Sequence, residues 1–220
     1  MAKTTSKSIK TYKKAKSVKA QLEKIIKSTE EQKELLTSVT GTVPTGGYLL
    51  SLNNIIGGTD TGQRVGRQIQ GVRLDYKFII QGPSNSALFD YIRVILFYDW
   101  QANAIGTVFA DVLDGSAGGN QVTWPKNTRA YPKRYTFLKD VIIPVQNQTA
   151  GGSCNADQDN QQQCGSIYLG KYPKTQFKDQ TSSSCTAGHL IIGVMTYQNT
   201  GLVTTSAGLY GHFKYVFTDA

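Results

Sequence analysis

The 220-residue sequence is poor in the residues on which chemistry is usually built. Its two histidines, His189 and His212, belong to no H-E-x-x-H or other paired metal-ligand pattern. Three cysteines, Cys154, Cys164 and Cys185, are an odd number, which argues against a disulfide framework and for reduced thiols. With His189 they would give C-x9-C-x20-C-x3-H, which lacks the close cysteine pair of most structural zinc sites. No G-x-S-x-G elbow occurs, and GGTDTGQRVG (57–66) lacks the Gly-Lys-Ser/Thr end of a phosphate loop. Asp99, Asp111 and Asp114 fall near loops, where solvated carboxylates are ordinary. These absences point away from an enzyme. No run approaches the about 18 apolar residues of a membrane span, and the N-terminal segment lacks the apolar stretch of a secretory signal. The expected setting is therefore cytosol or nucleus, with no membrane partner.

Acidic residues are also scarce where the chain begins. Residues 1–27 hold nine lysines and one glutamate, a net of +8 against +9 for the whole chain, so the other 193 residues sum to +1. A tethered polycation ahead of a neutral body suits a polyanionic partner, nucleic acid above all, bound through phosphates without reading bases. The candidate nucleic-acid-binding residues are Lys3, Lys7, Lys10, Lys13, Lys14, Lys16, Lys19, Lys24 and Lys27. The cluster KTYKKAKSVK is also of the kind that host nuclear import factors read.

From Ala15 onward Val18, Leu22, Ile25 and Ile26 recur at spacings of three and four, the pattern of an amphipathic helix with one narrow apolar stripe. The stripe could pack on its own domain or against copies of itself, since helices of this length are marginal alone in water. The expected organisation is a basic arm over 1–36, disordered and then helical, followed by a folded body over 37–220. TSVTGTVPTGG, from Thr37, reads as the linker between them.

The body reads as a sheet protein. VRLDYKFII (72–80) places Val72, Leu74, Tyr76, Phe78 and Ile80 on one face, the period of a half-buried strand. YIRVILFYDW (91–100) is continuously apolar and aromatic, which suits a strand buried on both faces. RYTFLKDVIIPV (134–145), SIYLGKY (166–172), GHLIIGVMTYQN (188–199) and LYGHFKYVFTDA (209–220) complete the strand set, and VFADVLDG (108–115) reads as a short helical turn. With 22 glycines and no fixed-period repeat, the expected fold class is all-β, an antiparallel eight-stranded jelly-roll sandwich.

Taken in order, the arm opening MAK, IIGGTDTGQRVG (55–66), RVILFYDW (93–100), VFADVLD (108–114), RYTFLKDV (134–141) and the terminal YVFTDA (215–220) resemble one family. The chain is similar to the capsid proteins of the satellite tobacco necrosis virus type, which also occur in small circular single-stranded DNA viruses encoding a replication initiator. The segment from Gly151 to Gln180 resembles the family least. The resemblance implies a jelly roll that assembles with copies of itself, about sixty per minimal (T=1) icosahedral shell. It also implies basic arms directed inward to a packaged single-stranded DNA or RNA genome, with arm helices clustered about a symmetry axis. The implied setting is the virion and the host cytoplasm or nucleus, and the partners would include a host surface receptor. No cofactor is required. Related shells can hold calcium between subunits, and Asp219 matches the acidic residue of the terminal motif, with Asp60 beside another acidic position; the metal ligands stay uncommitted.

A second basic group, WPKNTRAYPKR (124–134), interleaves Lys126, Arg129, Lys133 and Arg134 with Trp124 and Tyr131. It reads first as a surface or subunit-contact loop before a strand, with a single-strand-binding loop as the alternative. Arg64 and Arg67 carry the same two readings. Two rival functions remain: a non-viral nucleic-acid-binding β-domain with a basic tail, and a carbohydrate-binding jelly roll that uses some of the twelve tyrosines and two tryptophans.

Overall fold

The computed structural model describes residues 31–44, 46–60, 62–81, 90–101, 107–114, 121–127, 134–145, 162–197 and 207–220. The chain divides into two units, Met1–Gln32 and Lys33–Ala220, and the sheets belong to the second. The expected arm helix, with Val18, Leu22, Ile25 and Ile26, lies outside the described residues.

Ten strands occur among the described residues: β1 Gln32–Thr42, β2 Tyr48–Ser51, β3 Gln68–Gln81, β4 Asp90–Asp99, β5 Tyr135–Val145, β6 Gln162–Tyr168, β7 Thr175–Phe177, β8 Cys185–Ala187, β9 His189–Tyr197 and β10 Gly208–Asp219. They are joined by a helical turn, α1 Phe109–Val112, and a 3₁₀ turn, Gln121–Thr123. Sheet A has the order β1-β10-β3-β7-β8 with β6 also on β3, and sheet B has the order β2-β9-β4-β5. Long strands thus pass back and forth between two antiparallel sheets, 1-10-3-6 facing 2-9-4-5, which is the jelly-roll winding.

The count of ten, where the sequence pattern leads to eight, has a local cause. β6 pairs with Arg73–Ile79 of β3 and β7 pairs with Gln68–Ile69, so both occupy one edge of the same strand. Between them Pro173 cannot donate to a ladder. There the chain leaves the β3 ladder, keeping the Leu169 N–H on the Val72 carbonyl and the Gln70 side-chain amide on the Tyr172 carbonyl, with Leu169 and Tyr172 packed into the main core. β8 then adds a short antiparallel partner to β7.

β1 differs from the sequence reading too. It begins at Gln32, inside the stretch read as arm, and its second half runs through the stretch read as linker. Lysine and glutamate mask its alternation: Lys33 and Val39 point inward while Glu34, Leu36, Ser38 and Thr40 point outward.

The main core lies between the sheets. β3 contributes Ile69, Leu74, Phe78 and Ile80, β10 contributes Leu209, Phe213, Tyr215 and Phe217, and β4 and β9 contribute Ile92, Val94, Leu96, Leu190, Ile192 and Val194. Val72, read as part of β3's inward face, is instead the extra residue of a β-bulge, because Val216 pairs with Arg73 and the next residue, Phe217, pairs with Gly71. The bulge moves the inward phase from Ile69 and Gly71 to Leu74 and Phe78.

A second core covers the outer face of sheet B. Ile95, Phe97, Ile191 and Met195 point away from the first core and pack under Phe109, Val112, Leu113 and Val122. β4 is therefore buried on both faces, as its unbroken apolar run implies. Gly193 is where α1 comes closest: a Cβ there would lie 2.8 Å from Ile95 Cγ1 and 2.8 Å from the Phe109 ring. Gly193→Ala should accordingly cost about 1–3 kcal/mol by overpacking. Gly46→Ala, where a Cβ meets nothing within 4 Å, should stay within about 0.5 kcal/mol. Urea-denaturation midpoints of the two variants check the difference.

Candidate functional site

The nine candidate arm lysines lie outside the described residues. Of the six body cations that the sequence offered as binding groups, four lie among the described residues, and three of those, Arg64, Lys126 and Arg134, are held by partners inside the chain.

Arg93, on β4, is almost completely buried on the outer face of sheet B. Its Nε and Nη2 donate to the two carboxylate oxygens of Asp140, each at 2.8 Å, and its Nη1 donates to the carbonyls of Val122 and Trp124. Lys126 approaches the same carboxylate at 3.3 Å and lies over the Phe137 ring. This cluster fastens the 121–127 segment over the second core. Burial alone would raise the Asp140 pKa, but the hydrogen bonds and charges of Arg93 and Lys126 outweigh it and hold it below the usual carboxylate range.

Arg134 is held the same way. Its Nε and Nη2 grip both oxygens of Asp99 at 3.0 and 2.9 Å, and Asp99 also accepts from the Gln101 N–H and the Thr107 hydroxyl. The Asp99 side chain has no exposed surface and that of Arg134 is 7% exposed. Desolvation would push Asp99 up, yet the arginine and the two further donors keep it below its ordinary pKa. Of the second basic group, Lys126 and Arg134 are thus structural, and Arg129, Tyr131 and Lys133 lie outside the described residues.

Arg64 is a third such case. It is fully buried, lies 3.9 Å over the Phe177 ring, and donates to the carbonyls of Ile55, Gly66, Asp179 and Ser182. It pins the 55–66 loop to the 179–182 turn and offers nothing to a ligand, whereas its neighbour Arg67 is exposed. Asp179 caps its own turn, accepting the N–H groups of Ser182 and Thr181, which lowers its pKa.

The remaining candidates also find partners inside the chain. Asp219 pairs with the buried Lys33 at 2.8 Å and accepts the Val65 N–H at 2.9 Å, and Asp60 accepts from Gln63. Among the described residues no three His, Cys, Asp or Glu side chains gather as a metal site. His189 Nε2 meets the Ser51 hydroxyl at 2.6 Å, and burial lowers its pKa against the opposing pull of Asp99. His212 bonds Ser38. Cys185 lies against the Asn53 carbonyl, and burial pushes its thiol up to about 12, so it is not a nucleophile at neutral pH. Cys164 is exposed and unpaired. No helix among the described residues is long and apolar enough to cross a membrane.

The family model described as satellite tobacco necrosis virus coat protein matches residues 1–170. The chain belongs to that family. The coat protein of satellite tobacco necrosis virus 2 is 33% identical to it over 131 residues, 58% of this chain and 63% of that protein. The chain thus spans less than two thirds of that curated relative's length. Among solved structures, that of desmodium yellow mottle tymovirus aligns at 9% identity over 85% of this chain and 87% of its own, with a TM-score of 0.38. The 60-mer BFDV capsid protein aligns at 9% identity over 87% of this chain and 95% of its own, with a TM-score of 0.31.

For this coat-protein family member the match takes in the basic arm and β1 to β6, and it ends just before the broken edge at β7. The buried Asp99–Arg134 and Asp140–Arg93 pairs lie within the matched span and give it a pH signature. A carboxylate whose folded pKa is depressed takes up its proton sooner unfolded than folded, so its contribution is complete above the ordinary value of about 3.9 and is lost as pH falls through the folded value. The contribution of these two pairs should therefore be flat near neutrality and drop steeply in acid, while His189, whose folded pKa is lowered, adds a smaller loss as pH falls through its ordinary value of about 6.5. Asp99→Asn leaves Arg134 buried without its counter-charge and should cost about 3–5 kcal/mol at neutral pH. It should also flatten the acid limb, read as thermal midpoints across a pH series.

Proposed function

We propose that the chain is the capsid subunit of a small virus, assembling into a T=1 icosahedral shell of about sixty copies around a single-stranded nucleic-acid genome held by its arm lysines. The observation that carries the proposal is the span of the family match, which includes residues 1–27 and their +8 along with the first six strands. A coat-protein family suggests a structural, non-enzymatic role and a place in the virion.

The charge arithmetic favours the same reading. At about sixty copies, 60 × 8 gives about 480 arm charges inside a shell, enough to neutralise a few hundred phosphates by counterion release. Lysines on a tethered arm bind phosphate without reading sequence. The body sums to +1, so a closed shell keeps its cation with the genome and leaves its wall near neutral. The stripe Val18, Leu22, Ile25 and Ile26 would pack arm helices of neighbouring copies together, with nucleic acid offsetting the repulsion between their lysines.

Sedimentation velocity of the full-length protein, followed at both the nucleic-acid and the protein absorbance bands, tests this. One large homogeneous boundary with excess nucleic-acid absorbance is expected. Deleting 1–27 should remove that excess, and Ile25→Asp should impair assembly more than any single lysine change. A slow boundary for the full-length chain would sink the capsid reading and favour a small nucleic-acid-binding domain. Nuclease sensitivity of the cargo distinguishes DNA from RNA.

A further inference from the structure

The two outer faces of the sandwich are not alike. The outer face of sheet B is largely covered by α1 and the 121–127 segment, with Tyr91 and Ile142 left open at its end at 41% and 49% exposure. The outer face of sheet A has no such cover among the described residues, and it carries four large apolar or aromatic side chains in the open: Leu36 on β1, Ile79 on β3, Tyr168 on β6 and Tyr210 on β10, at 61%, 48%, 63% and 40% exposure.

Register places these side chains among cations. Tyr168 stands opposite Arg73, Tyr210 stands opposite Ile79, and between the two rows Lys77 is flanked by His212 on one side and Cys164 on the other. Arg73 leans on Asp75 at 2.9 Å and Lys214 on Glu34 at 3.4 Å, while Lys77 has no acidic partner among the described residues. Three full cations stand against two acids, and His212 lies beside the unpaired one. Each tyrosine lies over a glycine: a Cβ on Gly170 would meet the Tyr168 hydroxyl at 2.4 Å, and one on Gly208 would meet the Tyr210 ring at 2.7 Å. The rings are thus laid along the sheet surface and not stacked on other side chains.

From strand spacing and rise, Tyr168 and Tyr210 are roughly 20 Å apart on a diagonal that crosses β3 between Asp75, which Arg73 engages, and Lys77. Exposed aromatic rings on an open sheet with cations between them are the ingredients of single-strand recognition: bases stack on rings and phosphates meet the charges. The basic segment 1–27 is followed in the chain by β1, the edge strand of this same sheet.

We propose that the outer face of sheet A is a second contact surface for single-stranded nucleic acid, with Tyr168 and Tyr210 as stacking platforms and Lys77 as the phosphate contact between them. The identity of the ligand rests on the genome-packaging reading above. On this view the arm supplies most of the affinity and the sheet orders the stretch of strand next to the wall.

The test uses the full-length chain and two readouts. In assembled particles, ultraviolet cross-linking followed by peptide mapping should find nucleotide adducts on Tyr210 and Tyr168 as well as on arm peptides. With dissociated subunits and an oligothymidylate, Tyr210→Ala should weaken binding about fivefold or more. Lys77→Gln should lower the slope of log affinity against log salt by about 0.7. Adducts confined to the arm, with unchanged affinity and slope in both variants, would overturn the proposal. So would variants that bind the oligonucleotide normally yet fail to assemble, since the face would then be covered by a second copy of the chain. A subunit that binds through Tyr210 and Lys77 but never forms shells would support this face and sink the capsid reading, so the two failures are distinguishable.

Discussion

Burial of β4 and β9, the central strands of sheet B, on both faces is the constraint from which much of the structure follows. A strand with core on each side can carry almost no polar side chain, and β4 and β9 consist almost wholly of buried residues. The face away from sheet A then needs a cover, and loops must supply it. A loop has few apolar residues of its own to hold it down, so the chain fastens it with buried charge. Arg93, from the middle of β4, reaches the Asp140 carboxylate and two carbonyls of the covering segment together. Arg134 and Asp99 close the adjacent corner. Such pairs add little net stability over apolar packing, but losing one partner strands a buried charge, so they fix one arrangement of the loops.

This use of arginine explains the body's charge. The sequence outside the arm is nearly neutral, and the structure shows where its cations go: Arg64 onto four carbonyls, Lys33 onto Asp219, Arg93 and Lys126 onto Asp140, Arg134 onto Asp99. A cation held by an internal carboxylate or carbonyl has already given up its water and has little to offer a phosphate. Other described cations, Arg67, Lys174 and Lys178 among them, stay exposed on loops, and a few stand on the open face of sheet A.

How much of this was legible beforehand depended on whether one side chain's environment was set by its neighbours in sequence. β4, β5, β9 and β10 announce themselves because long apolar runs have few other places to go, and the α1 turn is legible in VFADVLDG. β1 and β2 were missed because one is an edge strand with inward-pointing Lys33 and the other is four residues long. The phase error at Val72 came from a bulge that only the partner strand imposes. Arg64, Lys126 and Arg134 admit both a ligand and a loop-contact reading, since nothing local to a basic residue tells which acid or carbonyl it will meet.

The sequence by itself determined the class of the fold, the family and the concentration of charge at one end, because hydrophobic period, motif order and net charge are properties of the chain alone. Tertiary structure decided which cations are free. It also decided that one outer face of the sandwich is largely covered and the other open among the described residues, and that Tyr168, Lys77 and Tyr210, far apart in the chain, share one surface. Those outcomes depend on strand register and on which loop lies over which sheet, and both are set by contacts between segments distant in sequence.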